Sequence, residues 1–261
     1  MNFDIDLPSL NNPFDFPFPQ DASRRIFGTS GNRLSSNVFL TTIPFIYEVA
    51  RSAIKWGQES QGWYRVLTGT IHGLDIAFVQ SGVGGANILD CINFLRICGV
   101  TNLVFIGWCG GLLDKVKHGD LFLPENVLRC DHLSEIILPS VQVVAANQEM
   151  NLKIISAMES LQGSVSMYKD TLVSLSAVCQ EIPAVLQKLF RLGLGGVDLE
   201  SAAVLSAGKA WAIQTAVLLI VSDCPLRGDY LIAPDKPLAV CKENSQVITR
   251  LILDKCNLIF P

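Results

Sequence analysis

A single α/β domain, built on a mostly parallel or mixed β-sheet with helices on both faces, is the fold class this sequence predicts, and three observations predict it. From Asn37 onward, apolar runs of strand length alternate with segments of helical period. Of the 261 residues, 49% are apolar and only 17% charged, which is richer in core material than an ordinary soluble chain and suits a sheet covered on two sides. Leu74 to Gly107 reads as strand, glycine turn, helix and buried strand, a βαβ unit that should be parallel and right-handed.

Taken in order, residues 1–36 carry Pro8, Pro13, Pro17 and Pro19 among Phe3, Phe14, Phe16 and Phe18 with no regular period. They read as an extended arm, either docked through its aromatics on the body or a neighbouring subunit, or loosely ordered. Residues 37–261 form the domain. Val38 to Leu40 is a short strand, and a helix follows from Pro44 to about Trp56, with proline in the first turn where its missing N–H costs little. Val66 to Thr70 and Leu74 to Gln80 flank His72-Gly73 as a hairpin. Gly82-Val83-Gly84-Gly85 turns the chain into a helix from Ala86 to Cys98, and Val100 to Gly107 is the buried strand beyond it. Asp120 to Pro124 is a short strand, Gln148 to Leu161 and Ile182 to Leu192 are helices, and Thr171 to Leu175 is a strand between them. Gly195 to Leu199, Ser201 to Trp211 and Ala216 to Val221 make a second strand-helix-strand unit, and a last helix runs from about Leu238 to Cys256.

Composition excludes several function classes. A net charge of -4 with scattered Lys and Arg provides no basic field for nucleic acid. No stretch approaches the roughly 18 apolar residues that span a bilayer, and Met1 to Asn12 lacks the basic and apolar regions of a secretory signal, so the expected setting is cytoplasmic. The eight cysteines show no CxxC pair or metal-type spacing and read as buried, reduced thiols. Neither a metal nor a cofactor is expected.

Ligands of such sheets gather at the carboxyl ends of strands, and three strand tips carry candidate chemistry. At Ser81-Gly82-Val83-Gly84-Gly85 the missing side chains let backbone N–H groups approach a ligand at a helix N-terminus, although tight strand-helix packing explains the glycines as well. Asn87 stands at the third glycine position of a dinucleotide fingerprint, so that motif is broken. Asp198 and Glu200 share one side of a strand end, where a diol would satisfy a carboxylate; Glu200 or Ser201 could equally cap the helix. Ser222-Asp223 ends the apolar run Ala216 to Val221, a place for an acid of raised pKa and proton-donor use, or for a simple turn.

Together these segments resemble the purine nucleoside phosphorylase and uridine phosphorylase superfamily. Gly82-Val83-Gly84 resembles its first glycine turn and Phe105-Ile106-Gly107-Trp108-Cys109-Gly110-Gly111-Leu112 its central strand-turn. Gly119-Asp120 resembles the turn that follows, Val197-Asp198-Leu199-Glu200-Ser201-Ala202 its ribose motif, and Val221-Ser222-Asp223 its acid motif. Within the superfamily, Cys109 to Leu112 and Leu218 to Leu226 look most like the catalytic domain of AMP nucleosidase. The resemblance implies that Glu200 holds the ribose hydroxyls, that Leu199 packs on the sugar, and that Asp223, supported by Ser222, protonates the base at N7. Gly82, Val83, Trp108, Val173 and Asp198 complete the substrate-binding set that it implies.

The departures from the family pattern bear on the acceptor. Phe105 and Trp108 stand where phosphorylases have an arginine and a hydroxyl residue for phosphate, and Leu40-Thr41-Thr42-Ile43-Pro44 replaces the early phosphate turn. Arg24, Arg25 and Arg65 are the arginines that could still reach in. Water is therefore the expected acceptor, and the expected function is a nucleosidase acting on a purine nucleoside or nucleotide, such as AMP or a 5'-modified adenosine. Trp108, standing where AMP nucleosidases have a lysine, would stack on an apolar or aromatic 5' group. For water activation the candidates are Glu48, inside a helix, and Asp198, by proximity; His72, His118 and His132 read as structural. A phosphate-dependent phosphorylase and a catalytically silent nucleoside-binding or storage protein are the alternatives. The partners implied are the small-molecule substrate and further copies of the chain in a dimer, trimer or hexamer, with no nucleic acid and no membrane.

Overall fold

The computed structural model describes residues 22–29, 34–161, 163–231 and 237–261. Most of the proline-rich arm therefore lies outside the described residues, including all four of its prolines and the phenylalanines named above. Its last part is helical rather than extended: α1 (Ala22–Phe27) buries Ile26 and Phe27 in the core, which fastens the end of the arm to the body.

The strands form one mixed ten-stranded sheet. β1 (Asn37–Thr41) lies between β4 (Leu74–Gln80) and β5 (Asn102–Gly111), all parallel, and β5 is parallel on its other side to β10 (Gln214–Asp223). β2 (Gln58–Gln61) and β3 (Arg65–Ile71) extend the β4 edge as antiparallel strands. The β3–β4 hairpin turns at His72-Gly73, both with positive φ, the geometry whose twist matches paired strands. At the other side the sheet curls closed. β10 pairs antiparallel with β6 (Leu121–Cys130), β6 parallel with β8 (Met167–Leu175), β8 parallel with β9 (Gly196–Asp198), and β9 returns antiparallel to β5. β7 (Val143–Ala145) pairs with the outer part of β6.

Helices cover both faces as the composition implied. α3 (Gly85–Ile97) and α6 (Ser201–Trp211) pack on one face through Ile88, Ile92 and Leu95 against Ala202, Ala203 and Ala207. The small residues of α6 permit the close approach: a Cβ on Gly208 would run into the Thr215 side chain on β10. On the other face lie α2 (Pro44–Ala53), α4 (Gln148–Ala157), α7 (Pro237–Asp254) and α8 (Cys256–Ile259), which bury Tyr47, Ile154, Ile248 and Ile259. α5 (Pro183–Arg191) closes the end of the ring, with Leu186 and Leu189 on Val173, Leu175, Val197 and Leu199.

Several elements differ from expectation in extent. β6 continues past Pro124, where a strand would be expected to stop; a register shift between Pro124 and Asn126 absorbs the proline, which has no N–H to give the ladder. β2 is a polar edge strand, exposed at three of its four residues, so no apolar alternation announced it. The cysteines are free, as expected, and six are buried, but Cys130 is half-buried and Cys179 exposed. No described helix is long and apolar enough to cross a membrane, and no metal-type cluster occurs among the described residues.

Candidate active site

The closed ring brings β10, which ends at Asp223, and β9, which leads to Glu200, to opposite sides of β5 at one glycine. In the parallel register Asp223 of β10 faces Gly110 of β5, and in the antiparallel register Val197 of β9 faces the same Gly110. Asp223 and Val197, three residues before Glu200, are thus two strand spacings apart, about 10 Å. The buried Cys109 thiol, next to that glycine, feels the charges of both Asp198 and Asp223.

Glu200 sits between β9 and α6 and is 6% exposed. Its Oε1 accepts a 2.7 Å hydrogen bond from the Gly84 backbone N–H, which ties the first glycine turn to the ribose motif. Gly84 has φ +94°, where a side chain would strain the backbone, so the glycine is needed to aim that N–H. Gly82 and Val83 precede it on the surface, with Val83 58% exposed at the mouth of the turn. Asn87, on the first turn of α3, donates to the Val83 carbonyl and so stiffens the turn. Burial and the charge of Asp198 push the Glu200 carboxyl upward, opposed by the Gly84 and Leu199 amides.

Asp198 has a different part from the one its position suggested. Its Oδ1 accepts from Ser174 Oγ at 2.5 Å, and its Oδ2 accepts from both the backbone N–H and the hydroxyl of Ser201. Ser174 Oγ in turn accepts from Ala202 N–H at 2.9 Å. The carboxyl, 4% exposed, pins β8, β9 and the start of α6 together. Leu199 and Val173 form part of the apolar wall with α5; Val173 is fully buried, behind the surface a ligand would touch.

Asp223 ends β10, 6% exposed, and burial raises its carboxyl above the ordinary range. Ser222 Oγ lies 2.6 Å from Asp223 Oδ1 and 3.1 Å from the Cys109 carbonyl oxygen. The Ser222 hydroxyl donates to these acceptors, and its bond to Asp223 partly offsets the upward push of burial on that carboxyl. Asp223 Oδ2 accepts from Leu231 N–H at 3.2 Å. Behind it, His118 bridges the Ser222 carbonyl (3.1 Å) and Asp229 Oδ2 (3.4 Å), so this histidine braces the acid motif. Trp108 flanks the same region from the α7 side: its indole N–H donates to Ser245 at 3.0 Å, and Ser245 neighbours Cys241, whose thiol feels the Asp223 charge.

Arg24 and Arg25 are exposed on α1, while Arg65 is paired with Glu48 (2.8 Å) and Glu59 (3.3 Å) and lies over the Tyr47 ring at 4.2 Å. Glu48, also paired with Arg51 at 2.8 Å, is held below its usual value by these guanidinium groups. Phe105 is fully buried in the core. One acid escaped the sequence reading: Glu181, at the end of the turn after β8, lies within electrostatic reach of Asp223 and Asp198. Nothing in its local sequence marks it, because only the closing of the ring brings that turn to the site.

A mixed sheet closed at one end, with helices on both faces and buried acids at the ends of the two strands that flank β5, defines a three-layer α/β class of proteins. The chain belongs to the phosphorylase superfamily, whose family model matches residues 42–254. Its relatives are nucleoside-cleaving enzymes, both nucleosidases and phosphorylases. It is 26% identical over 190 residues to the AMP nucleosidase of Escherichia coli (strain K12), covering 70% of this chain and 39% of that protein. To the purine nucleoside phosphorylase of Plasmodium vivax (strain Salvador I) it is 26% identical over 171 residues, covering 64% of this chain and 68% of the relative. The chain thus spans about two fifths of the length of the AMP nucleosidase that it matches. In fold it is similar to the crystal structure of purine nucleoside phosphorylase from Toxoplasma gondii in complex with immucillin-H, with a TM-score of 0.76 and 22% identity, covering 92% of this chain and 97% of that one.

Proposed function

We propose that the protein is a nucleosidase that hydrolyses the N-glycosidic bond of a purine nucleoside or nucleotide, AMP or a 5'-modified adenosine being representative substrates. What supports this reading is that β10, which ends at Asp223, and β9, which ends two residues before Glu200, both pair with β5 at Gly110, and that both carboxyls are buried. Ionised Glu200 accepts from the ribose diol and stabilises the oxocarbenium character that grows on the sugar. Asp223 gives its proton to the leaving base, so the base departs neutral and the acid is left as a carboxylate. Water then adds to the anomeric carbon and gives up one proton to solvent, from which the Asp223 carboxylate is reprotonated, and the free sugar results. Leu199 supports the sugar, and Trp108 meets the 5' substituent through its ring, since its N–H is already used by Ser245.

Water rather than phosphate is favoured because the superfamily's phosphate arginine is replaced by the buried Phe105, and Arg65 already has two carboxylate partners. Oligomer formation belongs to the same proposal, with exposed Val83 at the glycine turn as surface a second copy would cover. Incubation with a panel of nucleosides and nucleotides, with and without phosphate, should release free base and free sugar in both conditions. Strict phosphate dependence with ribose 1-phosphate as product would make the protein a phosphorylase; binding without base release would make it a silent binder.

A further inference from the structure

We propose that the cleft between α4 and the strands β6, β7 and β8 is a binding site for a free α-amino acid with an aliphatic side chain. The three strands form its floor and α4 its wall, enclosing a cavity of about 340 Å³. Ligand pockets run from roughly 300 to 1,000 Å³, so this one suits a small metabolite. β6 is bulged here. The register shift between Pro124 and Asn126 leaves Glu125 as the extra residue opposite β8, and its carbonyl accepts from the Ala146 N–H at 2.9 Å. A bulge re-aims the side chains beside it, and Glu125 lines the cleft.

Three polar groups of the lining lack partners. Asn151 on α4 is 8% exposed. Its Nδ2 donates to the Pro124 carbonyl at 3.1 Å, which fixes the amide, and its Oδ1 accepts from no group among the described residues. A buried acceptor without a donor is costly, and a ligand N–H would satisfy it. Glu125 and Lys169 are exposed, and neither forms an ion pair among the described residues, whereas Glu149 and Lys153 on α4 pair with each other at 2.8 Å. Lys169 stands opposite Leu123 in the parallel register, and Leu123 is buried with Met150 and Ile154 of α4, so Lys169 rises from the floor on the α4 side. The apolar part of the lining includes Leu152 and Ile155. Along β8, Lys169 lies five residues before Ser174, about 16 Å, which keeps the cleft apart from the acids at the strand tips.

The ligand that completes these groups carries both charges. An ammonium has three donors, enough to give to Asn151 Oδ1 and the Glu125 carboxylate together, and a carboxylate accepts from the Lys169 ammonium. A simple anion would leave Glu125 and Asn151 Oδ1 unmet, and a simple amine would leave Lys169 unmet. Hydrocarbon on the same carbon covers Leu152 and Ile155.

The test is calorimetric titration of the full chain with L-valine, L-leucine and L-isoleucine, and with the amide and the deaminated acid of whichever binds most tightly. At least one amino acid should bind, one per chain, and each analogue should bind about tenfold more weakly, the scale of one hydrogen bond to a charged group. Lys169→Gln should weaken the amino acid by a similar factor and leave its amide unaffected; Glu125→Gln should weaken the amino acid and leave the deaminated acid unaffected. Both side chains are exposed, so the variants keep the fold, with Tm as the check. The assignment is overturned by no saturable binding of any of the three at millimolar concentration, by analogues as tight as their parent, or by variants that bind it as tightly as wild type. A second copy of the chain in the cleft would show instead as self-association broken by Leu152→Glu with no amino acid bound, which also overturns it. None of these readouts depends on whether the protein cleaves nucleosides.

Discussion

Replacing Asp223 by asparagine keeps the size of the side chain and its contact with the Leu231 amide but removes the proton that a leaving base needs. The general-acid role predicts that Asp223→Asn lowers kcat by about 10²- to 10⁴-fold while nucleoside binding stays within a few-fold, as steady-state kinetics and calorimetry would measure. Undiminished turnover would remove the role. At this scale the sequence marked Glu200 and Asp223 as candidates, because an acid ending an apolar strand stands out against its surroundings, and both are buried at strand ends. It was less informative about Asp198 and Glu181. Both are acids near strand ends, yet three donors from Ser174 and Ser201 occupy the first, while the second has no such partners among the described residues. Two of the three donors on Asp198 come from Ser201, three residues on, but the third comes from Ser174, 24 residues back, and no local pattern records that one.

Among elements, the junction of β8, β9 and α6 hangs on one hydroxyl. Ser174 donates to buried Asp198 and accepts from the Ala202 amide at the start of α6. Ser174→Ala leaves that amide without its partner and the carboxylate one donor short, at a cost of about 1–3 kcal/mol. Thermal unfolding should show a drop in Tm of several degrees, and an unchanged Tm would mean that the network is not shared across the three elements. α6 itself was legible to the residue from Ser201 to Trp211, since its small-residue period has a sharp start after the acid. β2 and β7 were not legible. One is a polar edge strand and the other three residues long, and both exist because a neighbouring strand offers hydrogen bonds rather than because their side chains demand burial.

For the molecule as a whole, the gathered acids carry a signature in stability. Glu181, Asp198, Glu200 and Asp223 all bind their protons more tightly in the folded chain than they would when unfolded, because burial disfavours the charged form. Their contribution is full below the ordinary carboxylate value of about 4 and is lost as pH rises through the folded values, which reach about 7 for Glu181. Between pH 5 and pH 8 the Tm of the ligand-free protein should therefore fall, and Glu181→Gln should flatten the decline. A Tm that rises across this range would contradict the burial of these groups in their charged-disfavouring setting.

Alternation of strand and helix periods, a core-rich composition and a few short motifs were enough, by themselves, to determine the class of fold, the order of most elements and the two acids at the strand tips. They are local quantities, written in side-chain period and in the identity of neighbours along the chain. The return of β9 to β5, the joining of β10 to β6, the occupation of Asp198 by serines and the arrival of Glu181 beside Asp223 were decided only in three dimensions. Each depends on which strand finishes another strand's hydrogen bonds, and that is settled by closure of the sheet.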